Sequence, residues 1–84
     1  MDIRMAPKLA IHNKTNLSLA PECACYYCFK VFKPSDILEY VDRENDTALC
    51  PHCSIDAVLP IYEESEKEQS FLAKLHNYWF SKNI

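Results

Sequence analysis

The chain has 84 residues, room for one domain and little interior, and scaffolds near or below about 70–80 residues recruit disulfides or a metal to hold together. Five cysteines, no glycine and a formal net charge of −3 speak against a fully disulfide-paired secreted scaffold, because an odd thiol is left over, and against a strongly basic nucleic-acid binder. Residues 1–10 contain Asp2, Arg4, Pro7 and Lys8 and no apolar run of signal-peptide length, and nothing approaches the roughly 20 apolar residues of a membrane span. The chain therefore reads as a cytoplasmic domain stapled by metal.

Charge is unevenly spread. Residues 1–20 carry three basic residues against one acid (+2), residues 21–60 three against seven (−4), and residues 61–84 three against four (−1). The chain divides accordingly into an N-terminal arm (1–21), a cysteine-rich module (22–61) and a C-terminal helical segment (62–84). In the arm, Leu9, Ile11, Leu17 and Leu19 half-alternate, which predicts a short strand or a partly disordered extended tail. His12 reads as a solvated side chain.

The module opens at Cys25-Tyr26-Tyr27-Cys28 and is answered by Cys50-Pro51-His52-Cys53, with twenty-one residues between the pairs. Two C-x-x-C knuckles at such a separation form a four-thiolate framework for one structural zinc ion. Each knuckle turns two sulfurs to one side, and two knuckles face to face close a tetrahedron. Four thiolates also accept iron, and spacing alone leaves that alternative open. Cys23 stands outside the matched spacing and reads as a spare, partly buried thiol. Phe29, Val31 and Phe32 have strand composition and are placed to cover the metal site.

Between the knuckles, Pro34-Ser35-Asp36 breaks the first strand. Residues 37–42 resume an apolar run, and Arg43-Glu44-Asn45-Asp46 is a polar turn with Asn45 suited to positive φ. A β-hairpin is predicted there, setting the distance between the cysteine pairs. After Cys53, the spacing of Ile55, Val58 and Leu59 predicts a short helix that Pro60 ends, and its N-terminus would favour thiolate charge. His52 should point outward.

The clearest helix is the last. Ser65 and Glu68 match a capping box, and Phe71, Leu72, Leu75, Tyr78 and Trp79 fall on one helical stripe. The stripe has two readings. It packs on the module, or part of it binds a protein partner or a second copy of the chain as a homodimer. His76 and Asn77 read as surface residues beside it.

Together, Cys25-x2-Cys28, hairpin, Cys50-Pro51-His52-Cys53 and short helix resemble the treble-clef and zinc-ribbon zinc fingers, the helix favouring the treble clef. More narrowly, Cys25 to Leu59 resembles small uncharacterised bacterial and phage cytoplasmic zinc-binding proteins. That resemblance is carried by C-x2-C-x3-F, Ile37-Leu38-Glu39-Tyr40 and Thr47 to Val58. It implies zinc ligation by Cys25, Cys28, Cys50 and Cys53 and no activity. One departure is visible: the glycine that often follows a knuckle's second cysteine is Phe29 in one knuckle and Ser54 in the other, which costs on the order of 1 kcal/mol each if φ must be positive.

The predicted class is thus a small α+β zinc-binding domain, acting without catalysis as a protein-interaction or regulatory module. A four-thiolate zinc has no open position to activate water, and His12, His52 and His76 form no catalytic motif. The alternative is a DNA- or RNA-binding finger in which Arg4, Lys8, Lys14, Lys30 and Lys33 form a basic patch and Tyr26 or Tyr27 stacks on bases.

Overall fold

The computed structural model describes residues 3–80. A three-stranded antiparallel sheet in the order β2-β1-β5 forms its centre, from β1 (Glu22–Cys25), β2 (Val31–Phe32) and β5 (Val58–Ile61). The hairpin of β3 (Tyr40–Val41) and β4 (Thr47–Ala48) forms a second, two-stranded sheet. Asn45 takes positive φ (54°) in its turn, as predicted, and Asp42 does so too (79°). With two close cysteine pairs, the hairpin and a C-terminal helix, the chain is a small α+β metal-binding domain.

The segment after the second knuckle corrects the sequence reading. Ile55, Val58 and Leu59 share no helix; Val58–Ile61 is β5, buried along its whole length and paired with β1 from Cys25↔Val58 to Glu22↔Ile61. A short, fully buried apolar run rich in β-branched residues suits a central strand as well as a helix face. Pro60 is accommodated by the register. The Tyr26 N–H donates to the Ala57 carbonyl (3.0 Å), so hydrogen-bonded pairs alternate from that point and Pro60, opposite Cys23, owes β1 no donor. A strand, and not the predicted short helix, therefore stands behind the second knuckle.

The arm is helical, not extended. A 3-10 turn (Ile3–Met5) leads into α1 (Ala6–Leu9), and α2 (Lys14–Leu19) follows. Its buried positions are Ala6, Ala10, Asn13, Leu17 and Ala20, three and four residues apart, which is the helical period. Ile11 and Leu19, half of the alternation that suggested a strand, are exposed at 46% and 74%.

Asn13 fastens the arm. Its Nδ2 donates to the Leu9 carbonyl (3.0 Å) and the Val58 carbonyl (2.9 Å), and its Oδ1 accepts the Ala48 N–H (3.1 Å). Val58 is in a non-hydrogen-bonded position towards β1, so its carbonyl faces outward and the Asn13 amide stands where a further strand would. Although Asn13 is the residue before α2, its side chain caps nothing, being committed to these three bonds. Beside it, the Thr47 hydroxyl accepts the His12 N–H (2.8 Å) and donates to Asp42, and His12 Nδ1 meets Asp46 Oδ1 at 2.8 Å.

At the other end, a 3-10 turn (Glu64–Lys67) precedes α3 (Gln69–Phe80). The capping box forms two residues earlier than predicted, on the 3-10 turn. Glu66 reaches back to the N–H groups of Tyr62 (3.0 Å) and Glu63 (3.3 Å), and the Ser65–Glu68 box is not made because Glu68 is the extended residue (ψ 142°) between turn and helix. Leu72 and Leu75 are fully buried, while Phe71 and Trp79 pack on the core from its rim. The part of the predicted helix from 81 to 84 lies outside the described residues.

Candidate metal centre

The four cysteines Cys25, Cys28, Cys50 and Cys53 converge, with all four sulfurs within 4.8 Å of one another. Cys25 Sγ lies 3.7 Å from Cys53 Sγ, and Cys28 Sγ lies 3.6 Å from Cys50 Sγ. A tetrahedral ion with metal–sulfur bonds of about 2.3 Å sets its ligands about 3.8 Å apart, whereas a disulfide needs about 2.05 Å. The sulfurs are spaced for a metal, and the cluster can coordinate one. Cys23 is buried outside it, and burial, with Asp36 and Glu22 adding to it, pushes its thiol up to about 12.

The two knuckles repeat one backbone design. The Phe29 N–H donates to the Cys25 carbonyl (2.8 Å) and the Ser54 N–H to the Cys50 carbonyl (2.9 Å). The Cys25 N–H meets the Lys30 carbonyl, and the Cys50 N–H the Ile55 carbonyl, both at 3.0 Å. The Tyr27 N–H points at Cys25 Sγ (3.3 Å) and the His52 N–H at Cys50 Sγ (3.4 Å). Lys30 and Ile55 direct amides at Cys28 and Cys53 in the same way. Phe29 (φ 70°) and Ser54 (φ 66°) both occupy the left-handed region, as the missing glycines implied.

These amides act on sulfurs in unequal surroundings. Burial drives the Cys25 thiol far above its ordinary value against the lowering by the Cys28 and Tyr27 amides. Burial likewise takes Cys53 up to about 11, with the Ile55 N–H opposing. At Cys28 burial also raises, but the Lys30 N–H and the neighbouring sulfurs outweigh it and the thiol sits below its ordinary value. A dication binding here must displace protons from the buried thiols, so its affinity falls as pH falls.

The other predicted positions sort themselves by burial. His52 is exposed with its ring against Phe32 (5.7 Å), and only its backbone faces the sulfurs. His76 is not a simple surface residue. It is wedged among Tyr27 (5.3 Å), Phe29 (5.5 Å) and Phe80 (5.3 Å), and its Nδ1 donates to the Tyr26 carbonyl (3.3 Å). Gln69 donates to the Phe29 carbonyl (3.3 Å), so α3 lies across the first knuckle and is tied to it at two points. Of the stripe, Leu72 and Leu75 are core; Tyr78 is exposed at 41%. The aromatic surface that sequence spacing did not reveal is the one α3 makes with the knuckle, where Tyr27 and Phe80, 42% and 41% exposed, meet edge to face at 5.0 Å. Two adjacent tyrosines inside a C-x-x-C pair were its only signal.

Comparison of the chain with protein-family models, curated proteins and solved structures finds no match. No helix among the described residues is long and apolar enough to cross a membrane.

Proposed function

We propose that the protein is a zinc-stabilised, non-enzymatic interaction or regulatory module that works in the cytoplasm by docking on another protein. The metal in this reading is one structural zinc held by Cys25, Cys28, Cys50 and Cys53, a full set of thiolates that leaves no position for substrate or water. The observation that carries the docking role is the exposed Tyr27–Phe80 pair beside the metal centre, since paired exposed aromatics are enriched among the anchors of protein interfaces. Tyr78 and the outer edge of Phe71 lie about half a turn round α3 from Phe80 and offer a second aromatic edge beside Trp79, while Leu72 and Leu75 hold the helix in place. Helix pairing into a homodimer would use this second edge. The bacterial or phage origin is supported by the resemblance carried by C-x2-C-x3-F, Ile37 to Tyr40 and Thr47 to Val58, of which the second knuckle is the most specific part.

The nucleic-acid alternative has less behind it. Tyr26 is 4% exposed and has no face to offer a base, and Lys14 is drawn onto the Tyr40 ring (4.7 Å) across the hairpin. The test is a Tyr27→Ser/Phe80→Ser variant compared with the parent protein for zinc content, far-ultraviolet circular dichroism and binding to the protein that co-purifies with it. Unchanged zinc and fold with at least ten-fold weaker binding is expected. A variant that binds as the parent does, or a gel shift on DNA or RNA that weakens steeply with salt, would overturn the reading.

A further inference from the structure

Where α1, the first knuckle and the end of α3 meet, Pro7, Ala10, Ile11, Tyr26, Asp56, Trp79 and Phe80 line a cleft of about 250 Å³. The cleft is smaller than the roughly 300–1,000 Å³ of sites that hold whole small molecules, and its size suits one long side chain. Its walls are apolar and aromatic, with the Tyr26 and Phe80 rings 5.6 Å apart. Among the described residues the one charge on the lining is the exposed Asp56, which there accepts no hydrogen bond and forms no ion pair.

We propose that this cleft receives the side chain of an arginine presented by a partner protein, its methylenes against Pro7 and Ile11, its guanidinium stacked on the exposed Phe80 ring and paired with Asp56. A planar, weakly hydrated cation is the group that such a mixture of ring faces and one carboxylate recognises, because it stacks and accepts fork-like pairing at once. A lysine ammonium, compact and strongly hydrated, uses only the carboxylate. The sign of the partner follows from Asp56 on the lining and from the net charge of −3 on the whole chain. Phe80 belongs to both the cleft and the exposed Tyr27–Phe80 pair, so the pocket continues the face assigned to docking, and the proposal rests on that reading.

The test uses the zinc-loaded full chain, the blocked tripeptide acetyl-Gly-Arg-Gly-amide and its neutral isostere with citrulline. The readout is the Trp79 indole N–H in a proton–nitrogen correlation spectrum, a resonance already fixed by its bond to the Ile3 carbonyl (2.9 Å). A saturable shift with the arginine peptide is expected, at least ten-fold weaker with citrulline and at least ten-fold weaker in an Asp56→Asn variant whose spectrum is otherwise unchanged. Equal shifts with both peptides, shifts confined to residues 42–46, or no shift would overturn the proposal. So would a Lys82→Gln variant whose indole resonance moves without peptide, which would give the cleft to the chain's own C-terminal lysine. Failure here with partner binding still lost in the Tyr27→Ser/Phe80→Ser variant removes the arginine pocket and leaves the docking face standing.

Discussion

The two knuckles have the same backbone and different neighbours. Each closes with the same pattern of N–H···O and N–H···S bonds, and each turns a non-glycine residue into the left-handed region. The first is roofed by α3, so that Tyr27 and Phe29 are drawn into an aromatic cluster around His76. The second leaves His52 and Ser54 exposed. Metal geometry dictates what is repeated, and the rest of the fold dictates what differs. The roofed knuckle is therefore the one joined to the interaction surface, and the open knuckle is the one whose backbone can be altered alone.

The largest effect should come from breaking what they share. Replacing one ligand from either knuckle, Cys25→Ser or Cys50→Ser, removes most of a zinc binding free energy that is about 10–16 kcal/mol in small finger peptides. Both variants should lose metal and folded dichroism alike. A variant that stays folded without metal would show that the knuckles do not act as one site.

Next comes the arm that braces the second knuckle's flanks. Asn13→Ala deletes three hydrogen bonds and strands the Ala48 N–H and the Val58 carbonyl in a buried place. With a cost of about 1–3 kcal/mol for each unpaired group, a loss of about 3 kcal/mol is expected in urea titration of the zinc-loaded protein. A loss under 1 kcal/mol would mean that the arm is not fastened there.

The knuckles should then diverge on glycine. Ser54→Gly relieves a left-handed strain of about 1 kcal/mol at an exposed position and should stabilise by up to that amount. Phe29→Gly relieves the same strain but removes a ring packed edge to face on His76 at 5.5 Å, and should destabilise. Like effects from the two substitutions would erase the distinction between roofed and open knuckle.

The smallest effect belongs to His12. The hydrogen bond and charge of Asp46 hold its imidazole above the usual histidine value, with Asp42 and Glu44 adding to it. A group whose folded pKa is raised adds stability that is complete below the unfolded value, near 6.5, and lost as pH climbs through the folded one. The pair is exposed, so the change in stability should be slight. The proton resonances of His12 should nevertheless titrate at lower pH in an Asp46→Asn variant, and an unmoved titration would remove Asp46 as the cause.

How much of this could be read from the sequence follows the same division. The cysteine spacing, the hairpin with Asn45 at its turn and the C-terminal helix were legible because each is specified within a few neighbouring residues. The arm's helices were not, because their period is carried by Ala6, Ala10, Asn13 and Ala20, residues too small or too polar to register as an apolar stripe. Ile55, Val58 and Leu59 satisfy helix spacing, yet pairing with β1 along four residues decided for a strand. Local preference offered the Ser65–Glu68 box, and the box that forms uses a glutamate cap, Glu63, which that preference does not favour. The cleft at Asp56 needs four separate segments to meet, and no local spacing announces that.

The central claim is that one metal ion, held by both knuckles, is part of the folding free energy. Metal content by atomic emission, with circular dichroism before and after a strong chelator, tests it most directly. The account predicts one zinc per chain and loss of the folded spectrum on chelation, restored by adding zinc back. A chain that keeps its spectrum with no metal bound would contradict it, and the four sulfurs would then be buried thiols and not a metal centre.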